Sequence, residues 1–515
     1  MTGSPADGSV GNPTGGSADS RTGSPTDSPT HGFARDAELR VRDPRTGRDE
    51  RALRPPTLEA LDAEVARLRA AQPAWEALGP SGRADALRRW AREIAARQDD
   101  MVDALLHDTG RRTESVMEVQ VLLGGIARWS AAIDEPGAEP GADPRADGDT
   151  RTTIPWIAVR SGARPYPLVG VISPWNFPLL LGTIDLLPAL AAGCAAIVKP
   201  SEVTPRFLGP LRRSLDAVPE LAAVVGLVEG GAEVGAALVD HVDAVCFTGS
   251  VPTGRAVAER AARAFIPAYL ELGGKDPAIV MQGADLARAA SAVLWGATAN
   301  TGQSCLSIER VYVHRKVFDE FTGLLSDRAA KVGIAWPDLD SGQLGPIIDP
   351  AQAEVIRAQL DDAYAQGAVA LTGGEVEELG GGLWCRPTVL TAVHHGMRVM
   401  TEETFGPVIP LMPFHDTDDA VRLADDSQYG LSAAVFAADE ETAFAVARRL
   451  HAGAVSINDA GLTAFVHEGE KQSFGLSGLG ASRMGAASMR RFLRRQAFLV
   501  NRGPVDDPWW WDTDD

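Results

Sequence analysis

Three short motifs carry the residue types that could do chemistry. Glu271 lies in the run Leu-Glu-Leu-Gly-Gly-Lys-Asp-Pro, and Cys305 ends the run Asn-Thr-Gly-Gln-Ser-Cys. Asn176 lies upstream, in Ser-Pro-Trp-Asn-Phe-Pro. A carboxylate base, a thiol nucleophile and an amide donor are the groups that acyl-enzyme chemistry at a carbonyl carbon requires. The sequence therefore predicts a covalent reaction at such a carbon.

Cys305 is one of four cysteines, and its motif distinguishes it from the others. Cys194, Cys246 and Cys385 lie on apolar helix or strand patterns, where a cysteine behaves as a small buried hydrophobic residue. The four are far apart in the chain and have no zinc-ligand spacing, so we expect free thiols, a reducing compartment and no metal site. From the residues alone, Asn176 fits a turn asparagine as well as an oxyanion donor.

The composition is that of a globular protein with room for two or three domains. The chain has 515 residues, 45% apolar and 23% charged, with a formal net charge of -20. An acidic surface repels nucleic acid and anionic membranes, so we expect neither as a partner. We expect no membrane-spanning stretch, and residues 1–35 lack the basic start and apolar core of a signal peptide. We expect that polar tail to be disordered and the protein to be cytoplasmic.

The pattern of apolar residues predicts helices first, then strands and helices in alternation. A helix from about Leu58 to Leu78 is followed by one that Ser81 caps, and Gly110 ends a third. Beyond Leu168 the alternation predicts a parallel, doubly wound sheet with ligands beyond the carboxyl ends of its strands. The predicted strands are Val169–Ser173, Ala195–Val198, Val224–Val228, Ala244–Thr248 and Ala268–Glu271.

A second α/β pattern runs from Pro277 to about Asp459. The arginine-rich stretch Arg490–Arg495 predicts a solvated helix face. Residues 135–149, rich in Gly, Pro, Ala and Asp, predict a surface loop. Trp509–Trp511 is expected to pack against a partner subunit, because three adjacent tryptophans would make an unusual solvent face.

Six motifs in a fixed order resemble those of the NAD(P)-dependent aldehyde dehydrogenase superfamily. They are Ser173–Pro178, Lys199–Glu202, Phe247–Gly254, Glu271–Lys275, Gly302–Cys305 and Glu402–Pro407. The resemblance, which extends from about residue 36 to about residue 500, implies an α/β fold with a doubly wound parallel-sheet cofactor domain and an α/β catalytic domain. It also implies a β-arm that joins subunits into a homodimer or homotetramer. The implied bounds are 36–136 and 160–272 for the cofactor domain, 273–484 for the catalytic domain, and 137–159 and 485–515 for the arm and C-terminal tail.

The resemblance implies oxidation of an aldehyde to its carboxylic acid. Cys305 would attack the aldehyde, the Asn176 amide and the Cys305 backbone N–H would stabilise the oxyanion, and Glu271 would activate the water that hydrolyses the thioester. NAD would be the cofactor, with NADP less favoured, because a carboxylate at Glu202 repels a 2′-phosphate. The residues that would hold the cofactor are Ile172, Ser173, Trp175, Lys199, Ser201, Glu202, Gly231, Phe247, Gly249, Ser250, Leu272, Glu403 and Phe405.

By the same resemblance, apolar side chains would line the substrate tunnel, which favours an aliphatic or aromatic aldehyde. These residues are Phe177, Leu181, Ile184, Leu306 and Phe474. The loop that begins at Phe474 departs from the family's pattern of Phe-Gly-Gly, then Lys, then Ser-Gly, since it continues Gly-Leu-Ser-Gly. His467 and Glu468, just before this loop, are expected at the surface, and no arginine stands out at the substrate positions.

Two other functions stay open at this stage. In CoA-acylating aldehyde dehydrogenases, CoA rather than water cleaves the thioester, and that class generally lacks a base at the position of Glu271. A non-catalytic, NAD-binding member of the family need not retain Cys305, Glu271 and Asn176 together. The presence of all three favours a hydrolytic aldehyde dehydrogenase.

Overall fold

The computed structural model describes residues 39–134 and 150–503. The polar tail, the loop 135–149 and Trp509–Trp511 lie outside the described residues, and the expectations for them stay predictions. The described part begins with a hairpin and four helices. Their bounds are Arg40–Arg42 (β1), Asp49–Ala52 (β2), Leu58–Ala77 (α1), Gly79–Ala96 (α2), Gln98–Thr109 (α3) and Arg112–Asp134 (α4).

Local residues explain where these helices begin and end. Thr57 caps α1, because its hydroxyl accepts a hydrogen bond from the Ala60 N–H. Gly110 ends α3 in the left-handed conformation that glycine adopts without strain, as predicted. The prediction that Ser81 caps α2 is wrong. That helix begins at Gly79, with Pro80 in its first turn, and the Ser81 hydroxyl donates to Asp134 instead.

Helix α4 corrects the expectation that no stretch could span a bilayer. Among the described residues it is the helix that passes this test, on length and composition alone. The core helix of a globular domain passes the same test. Helix α4 packs against α2 and α3, and it buries the polar residues Ser115, Glu118 and Ser130. These contacts describe a core helix.

The first large sheet has six strands in the order β21-β9-β8-β5-β6-β7, with β21 antiparallel and the others parallel. Its parallel strands are almost entirely buried, which explains their continuous apolar sequences. The bounds are Leu168–Ile172 (β5), Ala195–Lys199 (β6), Val225–Leu227 (β7), Ala244–Thr248 (β8), Ala268–Glu271 (β9) and Gly478–Leu479 (β21). The helices between them are Pro178–Thr183 (α5), Leu186–Ala192 (α6), Leu208–Asp216 (α7), Pro219–Val224 (α8), Ala232–His241 (α9) and Val251–Ala264 (α10).

Two features of this sheet position the site. The strand order changes direction between β5 and β8, and ligands of doubly wound sheets bind at such a point. The edge strand β21 comes from a late segment that the resemblance assigns to the catalytic domain. Gly478 of β21 pairs with Glu271 of β9, so this late loop lies beside the predicted base.

The second large sheet has seven strands in the order β12-β15-β16-β11-β10-β18-β19, parallel except for β12. Its strands are Asp276–Val280 (β10), Ile308–His314 (β11), Val369–Ala370 (β12), Thr388–Thr391 (β15), Val408–Phe414 (β16), Ser432–Phe436 (β18) and Ala454–Ile457 (β19). The helices of this half are Leu286–Thr298 (α11), Phe318–Ala329 (α12), Pro350–Ala365 (α13), Arg398–Thr401 (α14), Thr417–Asp425 (α15), Glu440–Ala447 (α16) and Leu462–Phe465 (α17). Two small pairings complete it, Val376–Leu379 (β13) with Gly382–Cys385 (β14) and Tyr429–Gly430 (β17) with Phe474–Gly475 (β20).

A third, antiparallel sheet joins Leu493–Asn501 (β22) to Ile157–Pro165 (β4) and Thr150–Arg151 (β3). The prediction of a solvated helix face over Arg490–Arg495 is wrong. The last helix, Ala487–Arg490 (α18), ends as the arginine-rich stretch begins, and β22 follows. Arg491 is buried because its guanidinium pairs with the buried Asp185 carboxylate. That partner is more than 300 positions away, so a local charge pattern could not indicate it.

Candidate active site

The nucleophile lies on a loop whose backbone is sharply turned. Helix α11 leads into a 3-10 turn, Ala299–Gly302, in which Asn300 and Thr301 both have positive φ, of 56° and 57°. Such angles are strained for residues other than glycine. Here the strain is held by hydrogen bonds, since the Thr301 hydroxyl donates to Gly345 O and the buried Gln303 side chain bonds Pro346 O and the Ile348 N–H. Cys305 follows this fixed turn and is half-buried.

Gly274 brings the predicted base to the predicted nucleophile. A Cβ on Gly274 would overlap the carbonyl oxygen of Cys305, so only glycine allows this approach. Gly274 lies three residues after Glu271, which ends β9. The carboxyl edge of the first sheet therefore meets the amino edge of the second beside the Cys305 main chain, and the Glu271 carboxylate acts electrostatically on the Cys305 thiol. The structure brings Glu271 and Cys305 into one site.

The surroundings of the Cys305 thiol favour its neutral form. Burial raises its pKa to about 12, and the nearby carboxylates of Glu403, Asp276 and Glu271 act in the same direction. The Lys471 ammonium acts in the opposite direction. A thiol in these surroundings needs a base to become a nucleophile, and Glu271 is one of the carboxylates that face it. Cys194, Cys246 and Cys385 are buried, as expected of inert thiols.

Asn176 is fixed directly beside the nucleophile loop. Its side-chain Nδ2 donates a hydrogen bond to Gln303 O at 3.0 Å, and its main-chain oxygen accepts from Asn300 Nδ2 at 3.1 Å. An amide nitrogen carries two hydrogens, so one stays available to an oxyanion. The structure therefore brings the third predicted catalytic residue into the same site.

Glu271 is oriented by a residue that the sequence did not indicate. The Ser473 hydroxyl donates to Glu271 Oε2 at 2.8 Å. Ser473 precedes β20, in the loop that adds β21 to the first sheet. Lys471 and Arg483 come from the same late segment, and both act electrostatically on Cys305. Arg483 pairs with Asp185 at 2.8 Å and bonds the Thr248 hydroxyl at 2.6 Å, so an arginine does lie near this site.

Predicted cofactor residues lie at the carboxyl ends of β5, β6 and β8. Ile172 ends β5 and Ser173 follows it, and the Lys199 ammonium at the end of β6 lies 3.4 Å from the Glu202 carboxylate. Burial lowers the pKa of Lys199, and Glu202 counters that effect. Ser201 Oγ accepts from the Val203 N–H and closes a tight turn around Glu202.

Two helix N-termini lie next to these strand ends. Gly231 immediately precedes α9. Phe247 and Gly249 flank the end of β8, and Ser250 is the N-cap of α10, where backbone N–H groups are free to bind a phosphate. Leu272 packs so closely on Gly254 of α10 that a Cβ there would overlap it.

The Glu403–Phe405 loop is held by a buried ion pair. The Lys275 ammonium lies 2.8 Å from Glu309, whose carboxylate accepts the backbone N–H groups of Thr404 and Phe405 at 2.7 Å. Phe405 packs edge-to-face on Trp175, with centroids 5.4 Å apart. Glu403 accepts from the Gly274 N–H at 3.1 Å, and burial raises its pKa to about 8.

The predicted substrate residues lie on several separate elements, and their role as tunnel lining stays a prediction. Leu306 follows Cys305, Leu181 is buried in α5, and Ile184 caps the end of that helix. The Phe177 ring lies under the Arg111 guanidinium, 4.8 Å from ring centroid to guanidinium carbon. The Phe474 ring packs on His451, with centroids 5.1 Å apart.

A sequence model of the aldehyde dehydrogenase family matches residues 33–498. The chain belongs to the aldehyde dehydrogenase family. A putative succinate-semialdehyde dehydrogenase [NADP(+)] of Mycobacterium ulcerans is 34% identical to it, over 87% of this chain and 85% of that protein. The 2-hydroxymuconic semialdehyde dehydrogenase of a Pseudomonas species is 38% identical, over 77% of this chain and 83% of that protein.

Solved structures agree with this assignment. The putative aldehyde dehydrogenase PutA of Anabaena variabilis has a TM-score of 0.88 and 54% identity, over 92% of this chain and 100% of that one. Betaine aldehyde dehydrogenase of Staphylococcus aureus, in complex with NAD+, has a TM-score of 0.84 and 28% identity, over 93% and 94% of the two chains. The predicted family, fold class and enzyme class are confirmed, and aldehyde oxidation to an acid is the activity of this family member.

Proposed function

We propose that this aldehyde dehydrogenase uses NAD to oxidise an aldehyde through a thioester on Cys305, which water hydrolyses with Glu271 as base. The observation that carries the proposal is the close approach of Gly274, three residues after Glu271, to the Cys305 carbonyl oxygen. Together with the electrostatic effect of Glu271 on the Cys305 thiol, it supports a site shared by the two residues. A thiol under the electrostatic influence of that carboxylate, and an anchored amide at Asn176, are the groups that such a reaction needs.

The residues present fit a nicotinamide dinucleotide. Glu202 and Lys199 would hold the adenosine ribose, the N-terminus of α10 at Ser250 would face the pyrophosphate, and Glu403 would hold the nicotinamide ribose. Glycine at 249 lets the Phe247 ring pack against the main chain at the strand end, because a Cβ there would overlap that ring. When bound, the oxidised nicotinamide supplies the hydride acceptor. The Glu202 carboxylate supports NAD over NADP.

The chain's own residues then account for the remaining steps. Glu271 takes the Cys305 proton, and the thiolate adds to the aldehyde carbon. The Asn176 amide and the Cys305 backbone N–H stabilise the oxyanion of the thiohemiacetal. After oxidation, Cys305 carries a thioester, and Glu271 releases the first proton to solvent, which returns it to the carboxylate form. Glu271 takes a proton from water as its oxygen attacks, the carbon–sulfur bond breaks, and the acid leaves with the thiolate restored.

The substrate proposal rests on the apolar side chains of Phe177, Leu181 and Leu306, which favour an aliphatic or aromatic aldehyde. A semialdehyde with a carboxylate is the second candidate. It is favoured by the positive charge of Lys471, which acts on the catalytic thiol and has no hydrogen-bonded partner for its ammonium among the described residues. Hexanal, benzaldehyde and succinate semialdehyde, each with NAD and with NADP, distinguish these candidates by their kcat/KM values.

The reaction itself is tested with Cys305→Ala. This variant should stay folded and bind NAD while NADH formation disappears. Full dehydrogenase activity in Cys305→Ala would end the proposal. Product analysis of the unmodified enzyme, with and without added CoA, should give free acid in both cases. Acyl-CoA as the main product would favour the CoA-acylating class, and NAD binding without turnover of any aldehyde would favour a non-catalytic protein.

A further inference from the structure

A buried arginine lies directly behind the oxyanion donor. Arg111 connects α3 to α4, and its Nη2 donates a hydrogen bond to the main-chain oxygen of Asn176. Its guanidinium also stacks on Phe177, the next residue. Arg111 therefore contacts two consecutive residues of the segment that carries the Asn176 amide.

The oxygen that Arg111 binds belongs to a closed set of hydrogen bonds. Asn300 Nδ2 donates to Asn176 O at 3.1 Å and to Gln303 O at 2.8 Å. Asn176 Nδ2 donates to the same Gln303 O at 3.0 Å. Gln303 lies two residues before Cys305, whose backbone N–H is the second proposed oxyanion donor. Arg111 thus connects the segment between α3 and α4 to the hydrogen bonds that fix the Asn176 amide relative to the Cys305 N–H.

The charge of Arg111 is compensated by two carboxylates of α4. Burial lowers its pKa, and the carboxylates of Glu114 and Glu118 counter that effect. Nη2 lies 3.4 Å from Glu118, whose other oxygen accepts from the Leu180 N–H at 2.9 Å. Burying a charged pair is costly, and an apolar pair of similar size is often as stable. Stability alone therefore gives weak reason for a guanidinium at this place.

We propose that Arg111 is a positioning residue for the oxyanion site, acting through Asn176. The inference rests on the proposed function, in which Asn176 donates to the oxyanion. Without Arg111, the Asn176 main-chain oxygen loses one of its two donors, the charged one, and keeps only the Asn300 amide. The amide then shifts relative to the Cys305 N–H, and displacements of about 1 Å at a reacting group cost on the order of a hundredfold in rate.

The test compares two reactions of the same sulfur. Transfer of the acetyl group from p-nitrophenyl acetate forms an oxyanion, whereas alkylation by iodoacetamide does not. Arg111→Met should slow NAD-dependent aldehyde oxidation and p-nitrophenol release by at least about tenfold in kcat. Its iodoacetamide rate and NAD affinity should stay within about twofold. Arg111→Lys should recover most of the rate, because Nε and Nη1 bond no acceptor among the described residues and one cationic donor suffices.

Two further variants separate positioning from folding. Arg111→Met/Glu118→Gln removes the unpaired buried carboxylate, so it should recover stability but not the oxyanion-forming reactions. Arg83→Met is the matched control, because Arg83 is equally buried and bonds the main-chain oxygens of Ala191 and Glu76, away from the site. Arg83→Met should lose stability and retain the rates of aldehyde oxidation and of p-nitrophenol release.

The inference is overturned if Arg111→Met and Arg83→Met reduce the two acyl reactions equally. It is also overturned if iodoacetamide alkylation falls as far as acetyl transfer does. If Cys305→Ala still releases p-nitrophenol at the full rate, Cys305 is not the nucleophile, and the proposed function is refuted together with the inference that rests on it. A Cys305-dependent reaction that is indifferent to Arg111→Met contradicts the positioning role alone.

Discussion

The Ser473 hydroxyl donates to the Glu271 carboxylate at 2.8 Å, across 202 positions of the chain. The late loop makes this bond possible, because it returns to the first sheet as β21 and pairs beside Glu271. The base is therefore held by a residue from the far end of the catalytic segment. Its orientation depends on how that loop is docked.

Replacement of Ser473 by alanine should slow hydrolysis of the thioester. A hydrogen bond to a charged group contributes about 1.5 kcal/mol or more, so we expect steady-state turnover to fall about tenfold. The first turnover should be less affected than the later ones, because it ends before the water step. Stopped-flow measurement of NADH gives both rates. An unchanged steady-state rate would show that Ser473 does not orient the base.

Cofactor choice should depend on the charge at Glu202. Its carboxylate lies 3.4 Å from Lys199, where a 2′-phosphate would meet a like charge. Glu202→Gln should raise kcat/KM for NADP about tenfold relative to that for NAD. Glu259→Gln, an exposed change on α10, is the control for altered net charge. If the ratio of kcat/KM for NADP to kcat/KM for NAD is the same in Glu202→Gln and in the unmodified enzyme, Glu202 does not determine cofactor choice.

The buried Lys275–Glu309 pair should support the loop that carries Glu403 and Phe405. Lys275→Met leaves the Glu309 carboxylate buried without its ammonium partner, which typically costs about 3–5 kcal/mol of stability. NAD affinity should fall with it, because Glu309 holds the loop backbone. Lys275→Met/Glu309→Gln should be milder than the single change in thermal unfolding and NAD titration. If the double variant unfolds at a lower temperature than Lys275→Met, or binds NAD more weakly, the buried-charge explanation is contradicted.

The Asp276 carboxyl should make stability depend on pH. Burial raises its pKa from the usual 3.8 to about 7, so the folded protein holds this proton at a higher pH than the unfolded chain does. Its contribution is therefore complete below pH 4 and is lost as pH rises to about 7, by on the order of a few kcal/mol. Asp276→Asn lacks this dependence. The difference in unfolding midpoint between the unmodified protein and Asp276→Asn should change from pH 5 to pH 7 and stay constant above pH 8. A difference that is constant over the whole pH range would contradict this prediction.

The sequence predicted the elements whose environment is uniform along the chain. The strands of the first sheet are buried on both faces, so their apolar runs mark them to within one or two residues, as at Ala244–Thr248. The catalytic residues Cys305, Glu271 and Asn176 could be predicted because each of them lies in a distinctive short motif. The structure brings all three together, and their roles stay with the proposed function.

Contacts between distant segments could not be predicted in the same way. Arg111, Ser473 and Arg483 have unremarkable neighbours in sequence, and each acquires a role only through a partner more than sixty positions away. The same reason explains the error at Arg491, whose charge is matched by Asp185 and not by solvent. Local sequence patterns indicate local structure. They do not indicate how the late loop packs against segments that are far away in the chain.

The shared site of Cys305 and Glu271 is tested most directly by a single-turnover experiment on Glu271→Gln. With NAD and hexanal in excess, this variant should release about one NADH per active site, more slowly than the unmodified enzyme because Glu271 also deprotonates Cys305, and then stall. The hexanoyl group should stay attached to Cys305 and be detectable by mass spectrometry. Free hexanoate should appear at least about a hundredfold more slowly than from the unmodified enzyme. Unimpaired steady-state turnover of Glu271→Gln, or a stalled enzyme without an acyl group on Cys305, would contradict the account.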